Sequence, residues 1–323
     1  MVYECTLFVV LRKRNLWQKI GTPYKPRQKE SNLHASMVSL DRLLTKEFEW
    51  VERLENRLAG LNSSQIAETI EANDSEFCCH WAQSSEVELI RESRWYRLIS
   101  EISHPYFNSI FEANVPPAQL SEVVDEALDP FRERKLPMAW WVGPKTRPKG
   151  LGQSLIAHEL EHVACESAMA IEPNVADYER VSEEVEIRAV TSAIDLRTWV
   201  EIMTGVYGLP EFTQEPWLRI LKKAGLGSRK KLQHFLALVD GEVAGVGSIF
   251  YGSQAAGIYN IGVLSQYRGQ GVASTLTISL LSLIEEQGYE LATLCASRKA
   301  ESLYRKIGFQ RFGELNCYRW SPD

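Results

Sequence analysis

One stretch constrains this chain of 323 residues more than any other: Ile261-Gly-Val-Leu-Ser-Gln-Tyr-Arg-Gly-Gln-Gly-Val-Ala-Ser274. An apolar run of strand length ends, a loop with two glycines and an arginine follows, and an amphipathic helix begins. Over 271–287 the residues Val272, Leu276, Leu280, Leu283 and Ile284 fall on one face, and Gly288 stands at the capping position. The first amides of such a helix lack internal partners, and the dipole adds positive charge there. Gly269 and Gly271 let an anion approach the backbone, Arg268 adds a charge, and Ala273 and Ser274 keep the first turn small. Residues 268–274, Gln270 and Val272 included, therefore predict a pyrophosphate cradle. A turn without a ligand is the plainer alternative. Neither the dinucleotide spacing Gly-x-Gly-x-x-Gly nor the Gly-Lys-Ser/Thr of a P-loop is present.

The elements around this loop follow from periodicity and turn residues. Strands are expected at 185–190, 235–239, 243–250, 258–263 and 291–296, with further strand around Phe309 and 317–320. Asp240-Gly241 makes a hairpin of the second and third. Helices are expected at about 193–204, 214–224 and 299–307. The polar, acidic stretch 172–184 divides this part from residues 37–172. There the pattern gives a helix from Ser39 to about Gly60, a polar stretch from Asn73 to Ser85, strands at 95–103 and 109–113, and a helix at 118–134. A strand at 136–142, a helical segment at 150–160 and a strand at 162–171 follow. Residues 1–36 are basic and rich in breakers. They read equally as a disordered arm or as an extension upstream of a start at Met37.

Two motifs in order carry a family resemblance. Gln266-x-x-Gly269-x-Gly271, preceded by Val263 and followed by Val272-Ala273, resembles the acyl-CoA signature of the GNAT superfamily of N-acyltransferases. Ser297-Arg-Lys-Ala300-Glu-Ser-Leu303-Tyr304-Arg-Lys-Ile-Gly308-Phe309 resembles that family's second motif, Asn-x-x-Ala-x-x-Leu-Tyr-x-x-x-Gly-Phe. The resemblance covers about 185–320. It implies an α+β (mixed α/β) fold with a central mixed sheet flanked by helices, here as two GNAT-like halves in tandem.

The resemblance also implies roles. Backbone groups of Ile261, Gly262 and Val263 would hold the pantetheine arm on a splayed strand, and 268–274 the pyrophosphate. Tyr304 would protonate the departing thiolate; packing in the core is its alternative. A phenol stays protonated at neutral pH, which suits this task. Ser297 stands where the family often has Asn, which weakens rather than removes a cofactor contact. Ser265 stands where Pro is common. An amine would attack the thioester directly, with backbone amides near 258–263 steadying the oxyanion. Glu211 and Glu215 are the candidates for the base that takes the amine's proton, although most such glutamates are simply solvated.

Residues 37–172 lack the glycine loop and resemble the degenerate N-terminal half of some two-part GNAT proteins. Leu136–Val142, the loop with Pro144 and Pro148, and the segment from Gly150 to Leu155 are taken as its strand, loop and helix. The prolines remove amide donors. Trp140 and Trp141 point to opposite faces of a strand; packing in the core is the default for both, and a place in a pocket wall is the alternative for one of them. This half then shapes the acceptor site.

Composition bounds the rest. A net charge of −6 does not favour nucleic acid. No apolar run reaches the roughly 18 residues of a membrane span. Six cysteines with no Cys-x-x-Cys suggest reduced thiols and a cytoplasmic setting. His158-Glu-Leu-Glu-His162 superficially resembles a zinc motif, but His162 begins a strand, so no metal is expected. The expected activity is acyl transfer, acetyl first, from acyl-CoA to a primary amine on a small molecule or peptide. Transfer of a longer fatty acyl chain to a Lys or ornithine side chain in natural-product maturation, and a non-catalytic coenzyme A module, stay open.

Overall fold

The computed structural model describes residues 58–176, 178, 181–227 and 230–322. The basic arm at 1–36 and nearly all of the helix expected from Ser39 lie outside them. The first described helix, α1 (Ser63–His80), runs through the stretch from Asn73 that composition marks as polar and irregular. Asn62 caps it, accepting from the Gln65 amide while Gln65 accepts in turn from the Asn62 amide. Apolar periodicity misses α1 because its buried face carries Thr69, Glu71, Asn73 and Ser75. Asn73 donates to the Ala255 carbonyl at 2.8 Å and accepts from Tyr259 at 2.7 Å. Gly257 has no side chain because a Cβ there would lie 2.1 Å from Asn73.

Three short antiparallel strands follow, β1 (Glu88–Arg91), β2 (Tyr96–Ile99) and β3 (Ser109–Phe111). The expected strand at 95–103 stops at Ile99 because the Asn108 side chain takes over the backbone there. It accepts from the Ser100 amide at 2.8 Å and donates to the Ile102 carbonyl at 2.7 Å. Helix α2 (Leu120–Arg134) crosses over to β4 (Met138–Val142), which lies parallel to β3. Then come α3 (Leu151–Ala157) and β5 (Glu161–Ile171).

The C-terminal half repeats the plan with one extra strand and one extra helix. Its elements are β6 (Val185–Ala189), α4 (Ala193–Tyr207), α5 (Gln214–Ala224), β7 (Leu232–Val239), β8 (Glu242–Tyr251) and β9 (Ala256–Val263). Helix α6 (Val272–Glu286) crosses to β10 (Ala292–Ala296), parallel to β9. Helix α7 (Glu301–Ile307) and β11 (Gln310–Trp320) close the chain. This is a mixed α+β architecture, a large sheet with helices on both faces.

Among the described residues the strands form one eleven-stranded sheet, in the order β1-β2-β3-β4-β11-β5-β10-β9-β8-β7-β6. Each half lends its last strand to the other. β5 lies between β10 and β11, antiparallel to both, and β11 lies between β4 and β5. The segment 172–184 thus joins two halves of one sheet. The topology also corrects one equivalence drawn from sequence. The crossover β3-α2-β4 matches β9-α6-β10, so the counterpart of the glycine loop is 112–119 with Pro116 and Pro117. The β4-α3 segment with Pro144 and Pro148 instead matches β10-α7.

The two parallel crossovers differ at their open ends. β3 and β4 stay zipped beyond the strands. The Arg147 amide donates to Ala113, and the Val115 amide to Arg147, both at 2.9 Å. β9 pairs with β10 only at Ala256 and Gly257, then diverges. On its other side β9 carries a bulge in which Asn260 and Ile261 oppose Gly247, with Asn260 at φ +56°. The Gly247 carbonyl accepts from the buried Trp199 indole at 3.1 Å. The bulge turns the end of β9 away from β10 and opens a notch between them.

Candidate active site

The notch leads into a cavity of about 530 Å³. Its floor is one face of the four central strands. The register pairs Ala139 with Arg319, Trp141 with Cys317, and Cys317 with Ala164, so these side chains share the face with Glu166. The walls come from both halves: Asp74 and Trp81 from α1, Tyr106 before β3, Met203 and Tyr207 from α4, and Trp217 from α5. Ile258 to Ile261 and Leu294 to Ser297 form the two lips of the notch, and Tyr304 on α7 stands beside them. Trp140 is fully buried on the opposite face, while Trp141 faces the cavity.

Burial pushes the Tyr304 phenol well above its ordinary range, and the Glu166 carboxylate adds to the shift. Tyr304 is thus protonated at neutral pH. Its ring packs edge-on against Phe309, so the packing alternative and the cavity position hold together. Helix α7 is tied to the exchanged strand where Ser167 donates to Glu301 at 2.7 Å. On β9, the Ile261 carbonyl accepts from the Tyr207 hydroxyl at 3.3 Å, and Gly262 is buried against β8. The Val263 carbonyl accepts from the Arg268 guanidinium at 3.1 Å, which folds the loop back on the strand.

The loop itself is open. Gly269 and Gly271 adopt φ +80° and +81°, and a Cβ at either would meet nothing within 4 Å. Only the left-handed backbone asks for glycine there. Gln270 donates to the Gln266 carbonyl at 2.9 Å. Helix α6 starts at Val272 with no side-chain cap, so the amides of Val272, Ala273 and Ser274 lack a partner within the helix. Ser297 ends β10, where its carbonyl accepts the amides of Ala300 and Glu301. In the N-terminal counterpart, the Asn114 and Val115 amides are already bonded and two prolines follow.

The two glutamates expected as bases stand elsewhere. Glu211 is exposed in the turn Glu211–Thr213, and Glu215 pairs with Arg197 at 2.9 Å on the surface. Neither lines the cavity. His158 bonds to Ser121 and to the Ser154 carbonyl, and His162 to Asn316. Among the described residues no group of three or more His, Cys, Asp or Glu is placed to hold a metal, and no helix is long and apolar enough to cross a membrane.

The cavity contains two acidic side chains that sequence patterns do not single out, Asp74 and Glu166. Neither has a hydrogen-bond or ion-pair partner among the described residues. Burial lifts Glu166 to about 7; burial, then the charges of Glu166 and Glu71, lift Asp74 to about 7. The native protein therefore keeps protons on this pair that the unfolded chain gives up between about pH 4 and 7. Their contribution to stability falls as pH rises through that window. Asp74→Asn is expected to stabilise the protein by about 2–3 kcal/mol more at pH 8 than at pH 5. Thermal melts of both proteins at the two pH values would measure this. An equal effect at both would show that Asp74 is not held protonated by the fold.

Comparison with known proteins agrees with this geometry. Residues 213–321 match the family model described as "Acetyltransferase (GNAT) domain". A stretch of 71 residues is 38% identical to mouse "N-acetyltransferase 8", covering 20% of this chain. The chain matches only about a third of that relative's length (31%). A GCN5-related N-acetyltransferase from Kribbella flavida shares the fold at TM-score 0.61 and 15% identity, over 78% of this chain and 96% of that one. A tandem GNAT protein from the clavulanic acid biosynthesis pathway does so at TM-score 0.53 and 12% identity, over 81% and 96%. Residues 213–321 thus match a GNAT acetyltransferase domain, and the described residues share the fold of a GCN5-related N-acetyltransferase and of a tandem GNAT protein.

Proposed function

We propose that the protein is an acyl-CoA-dependent N-acyltransferase that moves an acyl group, acetyl first, to a primary amine. One observation carries this reading. The diverging edge of β9 and the buried Tyr304 meet at a single cavity, and the glycine loop with the uncapped start of α6 follows directly from that edge of β9. The backbone of Ile261 to Val263 would hold the pantetheine arm in the manner of an added strand. The amides at 269–274, with Arg268, would hold the pyrophosphate. The amine attacks the thioester carbonyl, the carbon–sulfur bond breaks, and Tyr304 gives its proton to the thiolate. Ser297 lines the notch as the substitute for the family's asparagine. The N-terminal half serves as a degenerate partner that supplies cavity wall rather than a second cradle. Unpartnered Asp74 and Glu166 disfavour a long acyl chain, since burying alkyl carbon against them leaves each carboxyl without water or a partner. A purely coenzyme A-binding module would not need the protonated phenol at the notch.

Calorimetric titration with acyl-CoAs from acetyl to decanoyl tests the donor site. Acetyl and other short chains are expected to bind best. Gly271→Glu is expected to weaken binding at least about tenfold, through a negative charge placed at the phosphates. Absence of binding across the series, or unchanged affinity in a folded Gly271→Glu protein, would remove the reading.

A further inference from the structure

Asp74 and Glu166 are the acidic residues of the cavity wall, and they reach it from distant places. Asp74 comes from α1, and Glu166 from the strand that the N-terminal half inserts beside β10. Around them the surface is aromatic and apolar: Phe77, Trp81, Trp141, Met203, Trp217 and Tyr259 line the same space. The apolar character continues outside. Tyr106, Val163 and Tyr207 stay about two-fifths exposed at the mouth, and Phe212 exposes 55% of its surface beside His104. An enclosed carboxylate pair without partners calls for a cation, and the walls call for a hydrophobic body on that cation.

The charged residues narrow the class further. Among the described lining residues the cationic candidates are His104 and Arg319. Burial and then the Arg319 charge hold His104 below its ordinary value, so it is neutral at pH 7. Arg319 already pairs with Glu161 at 2.9 Å. A carboxylate on the acceptor would thus lack a free cation. A second ammonium would stand against aromatic wall with no second anionic site.

We infer, on the reading of this cavity as the acceptor site, that the acceptor is an amine with one ammonium group and an apolar, aromatic-sized body, lodged with its nitrogen at Asp74 and Glu166. Glu166 takes the first proton of the ammonium and passes it to solvent. The freed amine attacks the thioester. The second proton lost by nitrogen replaces the one Tyr304 gives to sulfur, so amide, thiol and one released proton balance. Asp74 is a positioning residue that holds the ammonium before transfer.

The experiment uses the full chain with acetyl-CoA and a panel of probes: 2-phenylethylamine, hexylamine, 1,4-diaminobutane, phenylalanine and glucosamine. The first two are expected to exceed the others at least tenfold in kcat/KM. Glu166→Gln is expected to lower kcat about 10²-fold or more, the scale of a lost general base, and to abolish the fall in kcat below about pH 7, while Asp74, also lifted to about 7, still lowers kcat/KM there. The other titratable groups that line the cavity with Glu166 are Asp74 and Cys78 on α1, His104 and Tyr106, Tyr207 on α4, Tyr259 on β9, Cys295 on β10, Tyr304 on α7, and Cys317 and Arg319 on β11. The thiols and phenols keep their protons through that range. Asp74→Asn is expected to raise KM for 2-phenylethylamine about tenfold with a smaller change in kcat. Acetyl-CoA affinity, measured by calorimetry, should be unchanged in both variants. Preference for the diamine, the amino acid or the sugar amine, turnover of none of the five by protein that binds acetyl-CoA, or an unaltered pH profile in Glu166→Gln would each overturn the inference. Failure to bind acetyl-CoA would instead overturn the donor site itself.

Discussion

Residues 185–323 produced without the rest of the chain are expected to be unfolded or insoluble, although they contain every family motif. The reason lies in β5. Ala168, Met169, Ala170 and Ile171 are at most 1% exposed, and they sit between β10 and β11. In that fragment β10 loses its antiparallel neighbour β5, and β11 loses both of its flanks, β4 and β5. Burying Met169 and Ile171 stabilises by roughly 1.5–3 kcal/mol each, and each ladder hydrogen bond adds about 1 kcal/mol. Together these rival the roughly 5–15 kcal/mol that hold a typical domain. The unpaired edges left on β10 and β11 would also invite aggregation. Circular dichroism and size-exclusion chromatography of 185–323 and of 58–323 would decide. A folded, monomeric 185–323 that binds acetyl-CoA would mean that the strand exchange is dispensable.

Tyr304→Phe is expected to lower kcat about 10²- to 10³-fold, within the usual range for a general acid, and to leave acetyl-CoA affinity within about twofold. The ring stays, so the edge-on contact with Phe309 and the packing of α7 persist. Only the proton is lost. The thiolate would then leave unprotonated into a cavity that already contains Glu166. Pre-steady-state kinetics separate this step from product release. Unchanged turnover would remove the acid role from Tyr304 and leave the donor site in place.

Local chemistry is legible in the order of residues. The 261–274 run, the helix it opens and the 297–309 motif are contiguous, so the residues that must cooperate lie within one turn, strand or helix. Backbone geometry then places them. The Asp-Gly hairpin at 240–241 is legible for the same reason, since two positive φ values need only those two residues. The opposed faces of Trp140 and Trp141 follow from strand periodicity alone. Helix α1 is hidden because its buried face is polar, and the partners of that face lie about 180 residues away.

The strand exchange and the composition of the cavity are tertiary. The pattern of β5 marks a strand, but periodicity does not name its neighbours. Sequence reasoning therefore places the base in the segment nearest the family's acceptor residues, at Glu211 and Glu215. The folded chain instead brings together Asp74, Glu166 and Tyr304, which are 92 and 138 positions apart in turn. The sequence by itself determined the glycine loop and the helix start proposed to hold the donor's phosphates, because both are local. Only the folded sheet decided which side chains line the cavity, because they come from both halves and meet through long-range pairing.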